Sequence, residues 1–143
     1  MNVETILRNK GNRVATIHAQ APIAEAVDLL VRERIGALVV SEDGEGVDGI
    51  LSERDIVIAL GSRGEDLLSR PVSDIMTRDV FVCEPSDTVG DLMAEMTNRR
   101  IRHFPVIADG RLVGIVSIGD LVKSRLDEVE FEANSMRSFI AGA

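Results

Sequence analysis

The chain has 143 residues and carries 24 acidic against 16 basic side chains, which gives a formal net charge of −8. That length is typical of one domain with a real hydrophobic core, and the negative charge argues against general affinity for nucleic acid or anionic membranes. The single cysteine excludes an intrachain disulfide and favours a reducing, cytoplasmic setting. With no signal-sequence pattern and no apolar run near the roughly 20 residues that cross a bilayer, we expect a soluble protein without a membrane partner.

The first half of the sequence predicts six elements. Apolar residues spaced by three or four indicate its helices, and short apolar runs indicate its strands. The Asp-Gly pair at 43–44 predicts a hairpin turn. In chain order the elements are a helix at 3–10, a strand at 14–18, a helix opened by Pro22, strands at 37–40 and 47–51, and a helix from Ser52 to Gly61.

The second half repeats this order. Its elements are a helical turn at 71–77, a strand at 80–83, a helix capped by Asp87, strands at 104–107 and 111–116, and a helix from Ser117. Equivalent positions are offset by 66 residues up to the hairpin turn and by 65 beyond it. We therefore predict an α/β (α+β) fold with two β-α-β-β-α repeats, 1–62 and 71–127, joined by a linker at 63–70. A C-terminal helix extension at 128–143 follows.

Both repeats end on the pattern Gly-x-x-Ser-x-x-Asp, at 49–55 and 114–120. The pattern fits a strand, a tight junction and a helix, whose free backbone donors and dipole form an anion site. An Asp one turn inside the helix can accept hydrogen bonds from the paired hydroxyls of a ribose. The alternative is a capping box, in which the acidic side chain only reaches back to the first backbone donors. Because the pattern occurs twice at equivalent places, the ligand site gains weight over the cap.

The repeated pattern resembles a tandem pair of CBS domains, the regulatory module named after cystathionine β-synthase. The resemblance rests on Asp-Ile-Met-Thr at 74–77, on Arg-His-Phe-Pro-Val at 102–106 and on the two repeat endings, and it covers roughly residues 3–123. It implies that the two repeats pack about a pseudo-twofold axis and leave two clefts for adenosine-containing ligands such as AMP, ATP, S-adenosylmethionine or NAD. It also implies a homodimer.

The resemblance further implies roles for individual residues. Asp55 and Asp120 would hold ribose hydroxyls, with Ser52 and Ser117 near the ribose or phosphate. The first strand of each repeat would sandwich the adenine. The residues expected there are Thr16, Ile17, Val80 and Val82. The remaining expected binding residues belong to the same motifs and are Phe104, Pro105 and Gly119.

Basic residues cluster at one strand start of the second repeat. Arg99, Arg100, Arg102 and His103 follow its first helix, where phosphate oxygens would find charge-assisted donors. The matching place in the first repeat has only Arg34, and Arg54 would supply part of the missing charge. We therefore predict that the cleft nearest Asp120 binds more tightly. The alternative is a solvated helix end, where cations are favoured by the helix dipole.

These observations predict a regulatory module without catalytic activity that binds an adenine nucleotide. AMP or ATP is expected, with NAD(H) as a further candidate, and the bound state would signal energy or redox state to an unknown partner protein. No metal is expected, because His18 and His103 are isolated, and Cys83 fits a core residue better than a nucleophile. The alternative is a ligand-free dimerisation scaffold in which both Ser-x-x-Asp pairs are only caps. The incomplete apolar stripe of the long C-terminal helix suggests a dimer contact.

Overall fold

The computed structural model describes residues 1–142, apart from the side chain of Arg63. Its mixed helices and small sheets confirm the predicted fold class. Ala143, the last residue of the predicted C-terminal extension, lies outside the described residues. The helices are α1 (Val3–Lys10), α2 (Ile23–Glu33), α3 (Glu53–Arg63), α4 (Val89–Arg99) and α5 (Ile118–Gly142), with 3-10 helices at Gly64–Ser69 and Val72–Asp74. The strands are β1 (Thr16–Ile17), β2 (Ala37–Val40), β3 (Gly49–Ser52), β4 (His103–Ala108) and β5 (Arg111–Ser117).

Each repeat builds a small sheet around an antiparallel hairpin. In the first, β2 lies between β1, which is parallel to it, and β3, which is antiparallel. In the second, β4 and β5 pair through a turn at Asp109 and Gly110, whose φ angles of 52° and 76° match a type I′ hairpin.

The predicted strand at 80–83 is wrong for most of its length. Only Cys83 bridges β4, donating its N–H to the carbonyl of Pro105 at 2.9 Å and accepting from the N–H of Ile107 at 2.8 Å. Phe81 and Val82 are exposed. A strand is favoured when its side chains pack on a half-buried surface, and these two lack that surface.

Two hydrophobic cores are present, and neither is made by one repeat alone. The first core contains Leu38 and Leu51 of the first hairpin together with Leu67 and Val72 from beyond it. The second core is built around β4 and β5 but includes Val3 and Ile6 of α1, which precedes the first repeat's strands. The segment that we predicted as a linker, 63–70, contains a 3-10 helix at Gly64–Ser69, in which Leu67 is fully buried.

Paired backbone hydrogen bonds fix this exchange of segments. The start of α1 has N–H groups without helical partners, and Val3 donates to the carbonyl of Asp87 at 3.0 Å. In the same way, Val72 donates to the carbonyl of Ala21 at 2.8 Å. The acceptors Ala21 and Asp87 are offset by 66 residues and the donors Val3 and Val72 by 69, so the two bonds join corresponding segments of the two repeats. Each repeat's leading segment thus completes the core of the other repeat.

The glycines that open the two motifs make room for the exchanged segments. A Cβ on Gly114 would lie 2.6 Å from Cδ2 of Leu7 in α1, and a Cβ on Gly49 would lie 2.9 Å from the carbonyl oxygen of Thr77. Such distances are much shorter than ordinary van der Waals contacts. The glycines therefore serve close packing between elements of different repeats.

Helix α5 is 25 residues long and leaves the second core after its first turns. Leu121 and Ser124 are buried against that core, whereas every side chain from 129 to 142 is exposed. Among the helices within residues 1–142, none combines the length and apolar character needed to span a bilayer.

Candidate functional site

Two clefts lie between the repeats, and we name each after its aspartate. The Asp55 cleft has a volume of about 250 Å³ and the Asp120 cleft about 350 Å³. The Asp55 cleft is lined by Gly36, Ile50, Ser52, Glu53, Arg54, Asp55, Thr77, Asp79, Val80, Phe81, Arg100, Ile101, Arg102 and His103. The Asp120 cleft is lined by Lys10, Arg13, Ala15, Glu33, Arg34, Ile35, Gly36, Ala37, His103, Ile115, Ser117 and Asp120.

The arginines lie in the opposite cleft from the one we predicted. Arg100 and Arg102 line the cleft of Asp55, not that of Asp120. The reason is the exchange between repeats, because each cleft takes its aspartate from one repeat and its basic strand start from the other. Arg99 lines neither cleft, since its guanidinium pairs with Glu95 at 2.6 Å and lies 3.8 Å from the centroid of the Phe81 ring.

The structure brings only part of the predicted set into the clefts. Ser52, Arg54, Asp55, Val80, Arg102 and His103 line the Asp55 cleft, and Ser117, Asp120 and again His103 line the Asp120 cleft. Seven predicted residues line neither cleft: Thr16, Ile17, Val82, Arg99, Phe104, Pro105 and Gly119. Ile17, Phe104 and Pro105 are buried within the sheets, and Gly119 and Val82 face solvent elsewhere.

Sequence reasoning also missed residues that line the clefts. In the Asp55 cleft these include Thr77 and Asp79, and in the Asp120 cleft they include Lys10, Arg13 and Glu33. Phe81 lies inside the predicted adenine-contacting stretch at 80–82 and lines the Asp55 cleft. The segments that carry Lys10 and Thr77 lead into the repeats. Assigning each leading segment to the opposite repeat would have placed both residues correctly.

Asp55 forms a capping box through one carboxylate oxygen, and its other oxygen accepts only a long hydrogen bond. Its Oδ2 accepts from the N–H of Ser52 at 2.9 Å, while its own N–H donates to Ser52 Oγ at 3.3 Å. Its Oδ1 accepts a long hydrogen bond of 3.4 Å from Thr77 Oγ1. A carboxylate has about four lone-pair sites. The capping and ligand interpretations of this motif are therefore compatible.

Asp120 forms the same cap but is occupied by a lysine. Its Oδ2 accepts from the N–H of Ser117 at 2.9 Å and from Lys10 Nζ at 2.7 Å. Lys10 Nζ also donates to the carbonyl of Ile115 at 3.0 Å, which corresponds to the bond that the N–H of Thr77 makes to Ile50 in the other repeat. The ammonium of Lys10 therefore makes the counterparts of both bonds that Thr77 makes in the Asp55 cleft, where the N–H of Thr77 donates to Ile50 and its hydroxyl donates to Asp55.

The electrostatics of the Asp120 cleft follow from this ion pair. Burial raises the pKa of Asp120, but the hydrogen bond and charge of Lys10 together with the hydrogen bonds of Ser117 outweigh it, so the pKa lies below its ordinary value. A cation that approached this carboxylate would have to displace an ammonium, and a neutral diol would have to compete with one.

His103 lies between the two clefts and is neutral near pH 7. Burial lowers its pKa below the ordinary value of 6.5, although the nearby carboxylates of Glu53 and Asp120 oppose this shift. The fixed charges of the Asp55 cleft therefore come from three arginines, Arg54, Arg100 and Arg102, and from three carboxylates, Glu53, Asp55 and Asp79. Among the residues described, no group of three or more His, Cys, Asp or Glu is arranged to hold a metal ion.

Replacing Lys10 with Met is expected to raise the pKa of Asp120, because the carboxylate loses its strongest donor but keeps its cap. A carboxylate with a lowered native pKa stabilises the fold above the unfolded value of about 3.9, and that stabilisation is lost as the pH falls through the native value. Lys10→Met should therefore lose less stability than the parent between about pH 4 and the native pKa. Carboxyl ¹³C NMR titration measures the shift.

Lys123→Met is the matched control, since Lys123 is exposed and pairs with Asp127 only at 3.9 Å. It should leave the Asp120 titration unchanged. An unchanged Asp120 pKa in Lys10→Met would contradict the occupied state of this cleft.

The CBS domain family model matches residues 6–62 and 72–127 of the chain. The chain is 44% identical to the CBS-domain containing protein ATU1752 from Agrobacterium tumefaciens, whose crystal structure superposes with a TM-score of 0.84 and covers 87% of this chain and 99% of that chain. It is 36% identical over 124 residues to the mitochondrial CBS domain-containing protein CBSX3 of Arabidopsis thaliana, with 84% of this chain aligned. It spans 60% of that relative's length.

One similar structure contains ligands. It is the CBS domain pair of protein MJ0100 in complex with 5′-methylthioadenosine and S-adenosyl-L-methionine. That chain is 28% identical to this one, with a TM-score of 0.77 and coverage of 91% of this chain and 98% of the other. A CBS domain pair of this shape therefore binds adenosine compounds in at least that relative.

Proposed function

Because this chain belongs to the CBS domain family, whose paired domains are regulatory modules, we propose that it binds an adenine nucleotide in the Asp55 cleft and signals the bound state to a partner protein. The observation that carries the proposal is the composition of that cleft. It combines a carboxylate whose second oxygen lies outside the helix cap, an apolar wall and three arginines.

Each part of the cleft suits one part of a nucleotide. The Oδ1 atom of Asp55 can accept hydrogen bonds from ribose hydroxyls, which are strong because the acceptor is charged. Val80 and Phe81 offer apolar and aromatic surface for an adenine ring. The guanidinium groups of Arg54, Arg100 and Arg102 are suited to phosphate oxygens, which they can bind in bidentate fashion.

Several adenosine compounds would fit this cleft, and its three arginines indicate which of them should bind most tightly. Phosphates favour AMP or ATP over S-adenosylmethionine, whose sulfonium is cationic. NAD(H) remains a candidate because it also carries phosphates next to adenosine. The Asp120 cleft is the weaker site in this proposal, since Lys10 already occupies its carboxylate.

The signalling step follows from thermodynamic linkage. A ligand shifts a partner only if it has different affinities for two arrangements of the protein. The Asp55 cleft is lined by both repeats, so a nucleotide that contacts Asp55 and Arg102 together would favour one relative placement of the repeats. We propose that this placement reports energy or redox state to a regulated protein.

The test is calorimetric titration of the purified protein with AMP, ATP, NADH and S-adenosylmethionine in turn, after mass spectrometry has shown that no nucleotide is co-purified. Saturable binding of AMP or ATP with one strong site per chain is expected. Binding of S-adenosylmethionine alone would overturn the assignment of the arginines to phosphates. No heat from any of the four compounds would overturn nucleotide binding.

A ligand-free scaffold is the second candidate, and the two capping boxes favour it. Ser52 with Asp55 and Ser117 with Asp120 both make the reciprocal bonds of a cap. If capping is their only role, Asp variants should lose stability and the parent should bind none of the four compounds. The same titration and a urea unfolding curve therefore separate the two candidates.

A further inference from the structure

The exposed part of α5 carries an apolar stripe with the spacing of a coiled coil. Its members follow one another by four, three, four, three and four residues, which is the alternation of a heptad seam. They are Val122, Leu126, Val129, Ala133, Met136 and Ile140. Their side chains are exposed along the stripe, from 40% for Val122 to 69% for Ile140. A surface helix that packed only on its own domain would bury this face.

The stripe is separate from the face that α5 uses within its own chain. Leu121 and Ser124 are buried against the second core. At about 100° per residue, the stripe lies roughly a third of a turn away from them. The first turns therefore hold the helix in place while the stripe stays open to another molecule. This removes much of the ordering cost that makes a short isolated helix marginal.

The charges beside the stripe identify the occupant and its direction. In a parallel pair of identical helices, the residue just before the first seam position of each heptad (the g position) faces the residue five places further along the other helix (the e position). The first seam positions here are 126, 133 and 140. That rule sets Arg125 against Glu130 of the second copy and Glu132 against Arg137 of the second copy. Both contacts join opposite charges.

An antiparallel pair with the same overlap has the opposite electrostatics. It would set Glu130 against Glu130 and Glu132 against Glu132, and it would bring Lys123 near Arg137. All three contacts join like charges, and like charges on neighbouring positions destabilise the pair. The sequence of α5 thus favours the parallel pair over its reverse.

We propose that α5 pairs with α5 of a second copy of this chain as a parallel two-stranded coiled coil over residues 122–140. The contact involves neither cleft, so it stands independently of nucleotide binding. It holds the two C-terminal ends of the dimer side by side and leaves both CBS domain pairs at the same end of the coil.

A disulfide placed on the seam tests both the contact and its direction. In a parallel pair Ala133 faces Ala133, at a separation that suits a disulfide. We expect Ala133→Cys to form a covalent dimer under mild oxidation, whereas Asn134→Cys, on the neighbouring position away from the seam, should not. Cys83 does not interfere, because burial raises the pKa of its thiol to about 12. Absence of the Ala133→Cys dimer, or equal linking in both variants, overturns the proposal.

A charge swap tests the electrostatic argument in the full chain. Glu130→Arg converts two attractive contacts per dimer into repulsive ones and should raise the dimer dissociation constant about ten-fold, given roughly 0.2–1 kcal/mol per exposed pair. Adding Arg125→Glu to the same chain should restore it. Phe131→Ala, on an exposed position outside the seam, is the matched control. Sedimentation equilibrium measures all four proteins, and failure of the double variant to recover contradicts the parallel pairing.

A truncation that removes most of the exposed part of α5 provides a third test. A chain truncated after Asp127 keeps the buried part of α5 and should have a dimer dissociation constant at least roughly ten-fold higher than that of the full chain. An unchanged dissociation constant would show that residues 128–142 add nothing to the contact between copies and would overturn the proposal.

Discussion

Replacing Asp55 with Asn is expected to weaken binding of AMP or ATP roughly 10- to 100-fold, whereas the same change at Asp120 should alter it less than about two-fold. A hydrogen bond to a charged acceptor contributes about 1.5–3 kcal/mol, which converts to this range. Asp55 lies in the cleft with Arg100 and Arg102, and its Oδ1 accepts only a long bond of 3.4 Å from Thr77, while the charge of Asp120 is already neutralised by Lys10 at 2.7 Å. Isothermal titration of both variants measures the difference.

Thr88→Ala is the matched control for this prediction. It removes the hydroxyl that caps α4, where Thr88 Oγ1 accepts from the N–H of Asp91 at 3.2 Å, and Thr88 lines neither cleft, so it should cost about 1 kcal/mol of stability and little affinity. Equal loss of affinity in the Asp55 and Asp120 variants would contradict the ranking of the clefts. Loss of stability without loss of affinity in both would assign the carboxylates to capping alone.

Leu67→Ala is expected to lower the free energy of unfolding by about 2–5 kcal/mol, because it leaves a cavity in the first core. Leu67 is fully buried among residues of the first repeat. Leu68, the next residue in the same 3-10 helix, is 46% exposed, and Leu68→Ala should cost less than about 1 kcal/mol. Urea unfolding monitored by circular dichroism compares them. Similar small costs for both would mean that 63–70 acts as the linker its composition suggests.

The fold was accessible from sequence because its signals are local and repeated. The helices of both repeats show their spacing directly, and the hairpin turn at Asp109 and Gly110 has its own dipeptide signature. The prediction of a strand at 80–83 was wrong because an apolar run indicates burial but does not show which element the side chains pack against. Phe81 contacts Arg99 and the Asp55 cleft instead of a sheet.

The site was only half accessible, because its composition depends on contacts between repeats. A local sequence motif predicts Ser52 and Asp55 as site residues, and the same motif predicts Ser117 and Asp120. The residues that complete each cleft carry no such signal, since Arg102 lies in the cleft of Asp55 and Lys10 in the cleft of Asp120, and each comes from the other repeat. The role of Gly114 could not be predicted from the spacing of the motif. A side chain at this position would clash with Leu7, which lies more than 100 positions earlier in the sequence.

The exchange of leading segments has a consequence for the nascent chain on the ribosome. Helix α1 is made before the second repeat, yet its buried Val3 belongs to the second core together with Val116 and Leu121. At about 5–20 residues per second, it waits on the order of ten seconds for that partner to be synthesised. During this interval an apolar helix is available to chaperones, while the first core closes as soon as Val72 emerges. The two halves therefore complete their cores at different times, and α1 is buried only after the second repeat has been made.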